Sequence, residues 1–252
     1  MELSYIDRYS ELDSPIHKLD PRVKTAAFFM YILFVVTTLP GEYLAYALFF
    51  LLMLFVIILS KVSLLYILKR SLAIIPFVLI ISVFLPFSAP ADRLFAGHIK
   101  VNNRGLELFF NIVIKAWLSI IAVTIFSATT AFPAFLKGLN ALHFPKIIVL
   151  MLSFMYRYSF VLLEEVTRIN TARKSRSPVG NTVRQLKTVG NIIGLLFIRT
   201  YERGERIYQG MLSRGFNGEI NIISKLHIGK YDCVFLTSFI LALVIIKIKG
   251  AL

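Results

Sequence analysis

The sequence has little with which to build several common kinds of site. One cysteine, Cys233, in 252 residues leaves no internal disulfide framework and no cysteine-rich metal centre. It reads as a small apolar residue in a span. No GxxxxGK[ST] phosphate loop occurs, so the chain carries no ATP-cradling loop of its own. Acids are scarce, 14 Asp and Glu against 28 Lys and Arg. The opening MELSYIDRYSELDSPIHKLDPRVK is polar and holds several of those acids, and it fits neither a signal peptide nor a transit peptide. The four histidines, His17, His98, His143 and His227, fall in loops or at segment ends, away from any span that needs an acid, base or metal ligand.

What is present is apolar surface. The chain is 57% hydrophobic, includes 22 Phe and has a mean hydropathy of +0.74. Its longest apolar runs match the thickness of a bilayer, which makes it an all-α, polytopic helical membrane protein. The net charge of +14 therefore reads as Lys and Arg gathered in cytoplasmic loops, not as a nucleic-acid surface. The basic segments lack interleaved aromatic stacking platforms and adjoin lipid-soluble helices.

From Thr25 to Ser60 Glu42 is the sole charge, and Pro40-Gly41 beside it marks a turn. Two spans in a tight hairpin are expected, roughly 23–39 and 43–60. A short amphipathic stretch flanked by Lys61, Lys69 and Arg70 leads to a third span, 71–89. A fourth runs over 108–130 with Lys115 inside it, and the last apolar segment, 231–246, is short but sufficient to cross. Arg22, Lys24, Lys61, Lys69 and Arg70 place the N-terminus in the cytoplasm. The run 147–156 is interrupted by Arg157 and leads to the strongest basic cluster of the chain. Were it to cross, that cluster would lie outside and Arg157 would sit in lipid. A partly embedded helix that stays on the cytoplasmic side is expected instead. Five crossings fit the parity, with six as the alternative. The chain divides into N-terminal membrane helices (1–140), a cytoplasmic helical region (141–222) and a C-terminal membrane helix (223–252).

Between Arg157 and Glu219 there are 11 cations and 5 acids, so the basic excess concentrates in the cytoplasmic region. Here Leu186, Val189, Ile193, Leu196, Phe197, Thr200, Ile207 and Met211 recur at three- and four-residue steps. That spacing predicts one or two amphipathic helices with an apolar stripe and a basic opposite face, suited to a membrane surface or a partner. Ser177-Pro178 breaks the chain before them, and Gly215 and Gly218 end them. Two helix ends result, each with an arginine between small residues: Ser175-Arg176-Ser177 and Ser213-Arg214-Gly215. An arginine at a helix C-terminus can simply complement the dipole. Small neighbours also let a tip approach another protein closely, and a guanidinium can grip a carboxylate bidentately.

The paired tips resemble the X-Arg-X signatures of the transmembrane T components of energy-coupling factor (ECF) transporters, in which Ala-Arg-Ser or Ala-Arg-Gly is typical. Ser175 and Ser213 replace the first Ala here, and Ala172-Arg173 is a second candidate for the first signature. SPIHKLDPRVK (14–24), ATTAFPAFLKGL (128–139) and RTYERGERIYQGMLSRGFNGE resemble the same family, and IDRYS (6–10) with the closing helix is most similar to its cobalt-type CbiQ group. The likeness covers nearly the whole chain. It implies a non-catalytic scaffold, without cofactor, in the prokaryotic plasma membrane. Two ATP-binding cassette ATPases would receive Arg176 and Arg214. The Leu186–Met211 stripe would pack on membrane helices or on a substrate-capturing membrane subunit for cobalt or nickel. A shared module for vitamin uptake is the alternative.

Two other classes bear on the same residues. Glu164-Glu165 followed by Arg168 resembles the EExxxR motif of membrane-embedded prenyl-protein proteases, one residue short. An i,i+4 ion pair is the simpler reading. A self-contained channel or carrier would need ionisable groups converging at mid-membrane, where Lys115 stands alone.

Overall fold

A computed structural model describes residues 14–73, 75–84, 103–176, 182–218 and 229–250. Among these, all regular structure is helical: α1 (Pro21–Val36), α2 (Tyr43–Ser60), α3 (Leu64–Leu72), α4 (Ile75–Ser82), α5 (Asn103–Thr129), α6 (Phe132–Ala141), α7 (Lys146–Arg176), α8 (Thr182–Leu212) and α9 (Lys230–Gly250). Among the described residues, four helices are long and apolar enough to cross a membrane: α2, residues Gly105–Thr129 of α5, α7 and α9. α7 is among them although its Arg157 argued against a crossing. The guanidinium is exposed and lies 6.0 Å from the Tyr158 ring. α9 continues past the expected 246 to Gly250, because Lys247 and Lys249 extend the helix instead of ending it. α3 is the short amphipathic stretch expected between Lys61 and Arg70, α4 is the described part of the third span, and residues 85–102, which include the remainder of that span and His98, lie outside the described residues.

The chain forms two compact units. One comprises Met1–Leu142 with Leu226–Leu252, the other His143–Lys225. In the first, α1 packs against α5, α6 and α9, while α2 also packs on α5 and α9. α3 and α4 rest on α5. The core is drawn from all four long helices of this unit, with Tyr31, Phe49, Met53, Ile125 and Leu243 fully enclosed. In a bilayer, lipid is as apolar as these side chains, so close packing and internal hydrogen bonds hold the helices together. Both devices are visible. Small residues (Ala45, Ser60, Ala122) are buried at the contacts. Tyr31 meets Phe49 edge-on with ring centroids 5.8 Å apart, and its hydroxyl donates to the Phe49 carbonyl at 3.3 Å.

The LDPR stretch starts α1 for local reasons. Pro21 occupies the first turn, where its missing N–H costs nothing, and the Asp20 carboxylate accepts from the Arg22 amide at 2.9 Å. The Pro40-Gly41 turn forms as expected, with Gly41 at φ +97°.

α1 and α5 run antiparallel and exchange lysines. The Lys24 ammonium of α1 donates to the Thr129 carbonyl at the end of α5 at 3.0 Å and to the His17 carbonyl at 3.0 Å. At the other end, Lys115 of α5 donates to the Val36 carbonyl of α1 at 2.8 Å. Lys247 of α9 joins it by donating to Thr37 Oγ1 at 3.0 Å. Lys24 and Lys115 thus meet carbonyls at the C-termini of α5 and α1 that a helix end leaves unpaired. α9 is fastened at its start as well, because the Asp232 carboxylate accepts from the Asp20 amide at 2.9 Å and the Gly229 amide at 2.8 Å. The N-termini of α1 and α9 and the C-terminus of α5 therefore share one end of this unit. α6 is at that end too, since a Cβ on Gly138 would stand 3.2 Å from the Pro21 backbone.

Candidate partner-docking site

In the second unit two 31-residue helices, α7 and α8, cross. Phe154 and Tyr158 of α7 share an apolar pocket with Ile207 and Met211 of α8, whereas Glu165 and Ile169 lie beside Arg199 and Arg203. The chains therefore run in opposite directions through the contact. Beside the apolar pocket the contact is ionic: Glu165 Oε1 receives Arg199 Nη1 at 3.1 Å, and Glu165 Oε2 receives Arg203 Nη2 at 3.2 Å. The Glu165 side chain is only 16% exposed, against 50% for Arg199 and 36% for Arg203. Glu164, the neighbouring acid, faces away and pairs with Arg168 at 2.6 Å, the i,i+4 pair anticipated from the sequence. Both acids of the protease-like motif are thus engaged in ion pairs, and Glu165 reaches across to a second helix.

Arg176 and Arg214 lie at the two far ends of this crossing. Arg176 is the last residue of α7, eleven positions past Glu165, and Arg214 is eleven positions past Arg203. At 1.5 Å per residue each tip projects about 16 Å from the junction, in opposite directions. Arg176 is exposed, while Arg173 three residues earlier is half-buried. Ser175 Oγ turns back to the Thr171 carbonyl at 3.1 Å and leaves the helix end open, and Ser177 lies outside the described residues.

The second tip has a defined local cause. Beyond Leu212 the chain closes a Schellman turn, in which the Phe216 amide donates to the Met211 carbonyl and the Gly215 amide to the Leu212 carbonyl, both at 3.0 Å. This turn requires a left-handed residue after the cap, and Gly215 supplies it at φ +81°. Arg214 thereby becomes the C-cap, exposed, with Ser213 Oγ folded onto the Gln209 carbonyl at 2.8 Å. Gly215 sets the backbone, Ser213 stays compact, and Arg214 is the group presented.

The apolar stripe of α8 is covered by α7 over only part of its length. Leu196, Ile207 and Met211 are half-buried, and the last two line the α7 contact. Leu186, Val189, Ile193 and Phe197, in the first half of the helix, are exposed, Phe197 by 74%. Sequence spacing at three- and four-residue steps predicts the stripe but not how much of it α7 covers. It also misses the Glu165 junction, whose partners lie 34 and 38 residues away, and the buried role of Lys24, which reads as a loop charge. Among the described residues no three His, Cys, Asp or Glu side chains converge as a metal site would require.

Residues 13–224 match the CbiQ family model, described as cobalt transport protein. The chain belongs to the CbiQ cobalt transport protein family. An uncharacterized protein of Methanocaldococcus jannaschii is 29% identical over 98% of this chain and 88% of its own length. The energy-coupling factor transporter transmembrane protein EcfT of Streptococcus thermophilus is 31% identical over 86% of this chain and 87% of its own. A putative fused cobalt transport protein CbiMQ of Methanocorpusculum labreanum is 27% identical over 50% of this chain and 21% of its own length. The CbiQ match contains both arginine tips and their crossing. With four apolar helices, this CbiQ-family chain is a multi-pass membrane protein.

Proposed function

We propose that this chain is the transmembrane T component of an ATP-driven ECF-type importer. It converts ATPase motion into movement of a substrate-capturing membrane subunit. The observation that carries the reading is the pair of arginine-ended helices held by one crossing, with the tips facing opposite ways. Two separate subunits can then be engaged at once. Arg176 and Arg214 enter carboxylate-lined grooves on two ATP-binding cassette subunits, with Ser175, Ser177, Ser213 and Gly215 keeping the approach close. The chain itself does no catalysis. Its N-terminus and the 143–225 unit face the cytoplasm, where the basic residues of this region are favoured.

The cargo is cobalt or nickel, chosen by the partner subunit. The family description and the fused CbiMQ relative support this reading. A second reading, a T component shared among vitamin-binding subunits, is favoured by the EcfT relative. Purification of the intact complex and identification of its third membrane subunit separate the two. Docking is tested by capturing co-expressed ATPase subunits with wild type, Arg176→Ala, Arg214→Ala and the double variant. Each arginine is expected to contribute about 1.5–3 kcal/mol, roughly a 10- to 150-fold change in affinity. A double variant that binds as well as wild type, with uptake intact, reduces both arginines to helix caps and overturns the reading.

A further inference from the structure

We propose that Glu165 is the positioning residue of the coupling pair: its single carboxylate, gripped by Arg199 and Arg203, fixes the angle at which α7 and α8 cross. It thereby fixes the separation of the Arg176 and Arg214 tips. The inference rests on the coupling function proposed above but concerns a different residue set. Three observations carry it. The two carboxylate oxygens are divided between two guanidiniums, at 3.1 and 3.2 Å, so the contact resists rotation as well as separation. Glu165 is the most enclosed of the three, at 16% exposure, so the carboxylate is the fixed member of the contact while Arg199 and Arg203 reach it from more open positions. Finally, the junction lies three to four turns from each tip: Glu165 is eleven residues before Arg176, and Arg203 and Arg199 are eleven and fifteen residues before Arg214. A small rotation there becomes a displacement of several ångströms at helix ends about 16 Å away.

The chemistry of the pair suits a fixed angle better than apolar contact alone does. Apolar contact beside it, Tyr158 against Ile207, resists separation but has no directional preference. The two hydrogen-bonded guanidiniums, one on each carboxylate oxygen, give direction. Removing the acid has a second effect, because it leaves Arg199 and Arg203 as two neighbouring uncompensated cations on one helix turn. The crossing would then loosen by loss of attraction and by repulsion together.

The test uses the full-length chain with Cys233→Ser and spin labels at Thr171→Cys and Gln209→Cys, exposed positions near the tips but outside them. Tip-to-tip distances are measured on the chain alone and on the complex with its ATPase subunits, before and after trapping with ATP and vanadate. In the otherwise wild-type chain a single distance population is expected, shifting as one on trapping. Glu165→Gln is expected to raise the fraction of molecules outside that range about tenfold or more, the effect of losing charge-assisted hydrogen bonds. The concerted shift is lost while ATPase capture persists. Glu165→Asp, which keeps the charge, restores most of the narrow population, and Arg199→Gln, which leaves the Arg203 pair, falls between. An unchanged distribution and shift in Glu165→Gln, with the variant folded and in the membrane, overturns the proposal. Failure of the wild-type chain to capture any ATPase would overturn the coupling function instead, and the distances on the chain alone would still decide whether Glu165 sets the crossing.

Discussion

The Lys24 ammonium, 3% exposed as a residue, donates to the Thr129 carbonyl at 3.0 Å and so ties the first turn of α1 to the last turn of α5. The residue is charged, buried and bonded to two carbonyls, and a replacement leaves both acceptors unpaired away from water. Lys24→Met is therefore expected to destabilise the first unit by about 1.5–3 kcal/mol. Lys115→Met, at the more open opposite end, is expected to cost about 1 kcal/mol or less. Thermal unfolding in detergent, followed for both variants, checks the order. Equal midpoints for the two would show that the buried contact contributes no more than the open one.

Two glycines predict opposite outcomes. A Cβ at Gly138 would meet the Pro21 carbonyl carbon and oxygen at 3.2 Å, backbone atoms that cannot swing aside. Gly138→Ala is expected to cost about 1–3 kcal/mol by forcing α6 away from α1. Nothing lies within 4 Å of a Cβ built at Gly204 in α8. Gly204→Ala should be neutral or raise stability by up to about 1 kcal/mol, because alanine loses less backbone freedom in a helix. Melting curves of the two variants side by side provide the measurement.

How much of this was legible in the sequence depends on the range of the interaction involved. The α2 boundaries, the Pro-Gly turn and the glycine stop after α8 follow from composition within a few residues, and all appear where expected. The two arginine tips are equally local. α3 and α7 fall on the expected amphipathic stretch and the helix after residue 147, and α7 is also long and apolar enough to cross a membrane, with its exposed Arg157 beside Tyr158. Lys24 and Glu165, by contrast, were beyond reach. A charged residue near an expected helix end looks the same in sequence whether it faces water or a carbonyl 105 residues away. Periodicity likewise reports that a side of α8 is apolar, but not which part of its length α7 covers.

Gly215 offers a test of whether the shape of the second tip matters. Its φ of +81° is easy for glycine, tolerable for asparagine and strained for alanine. Gly215→Ala is expected to cost about 1 kcal/mol locally and to fray the turn that holds Arg214, with Gly215→Asn closer to wild type. Amide exchange at Phe216, whose N–H bonds to the Met211 carbonyl, reports the fraying directly. ATPase capture should follow the same order, wild type above Asn above Ala. Capture unaffected by Ala would mean that the arginine is recognised without its Schellman turn.

The last prediction concerns how the two tips combine. Arg176 and Arg214 extend about 16 Å each way from the Glu165 junction, far beyond the distance at which two substitutions share partners. If each engages its own subunit, the binding losses of Arg176→Ala and Arg214→Ala should add, with an interaction energy within about 0.5 kcal/mol of zero. If one subunit bridges both tips, the second loss should be much smaller than the first, because a bridged contact fails once either anchor is gone. A four-member cycle of capture affinities on the intact complex distinguishes these cases. Loosening the junction alters the forecast in a specific way. In a Glu165→Gln background the tips no longer hold a common spacing, so simultaneous engagement becomes costly and each single arginine substitution should matter less than it does in the wild-type chain.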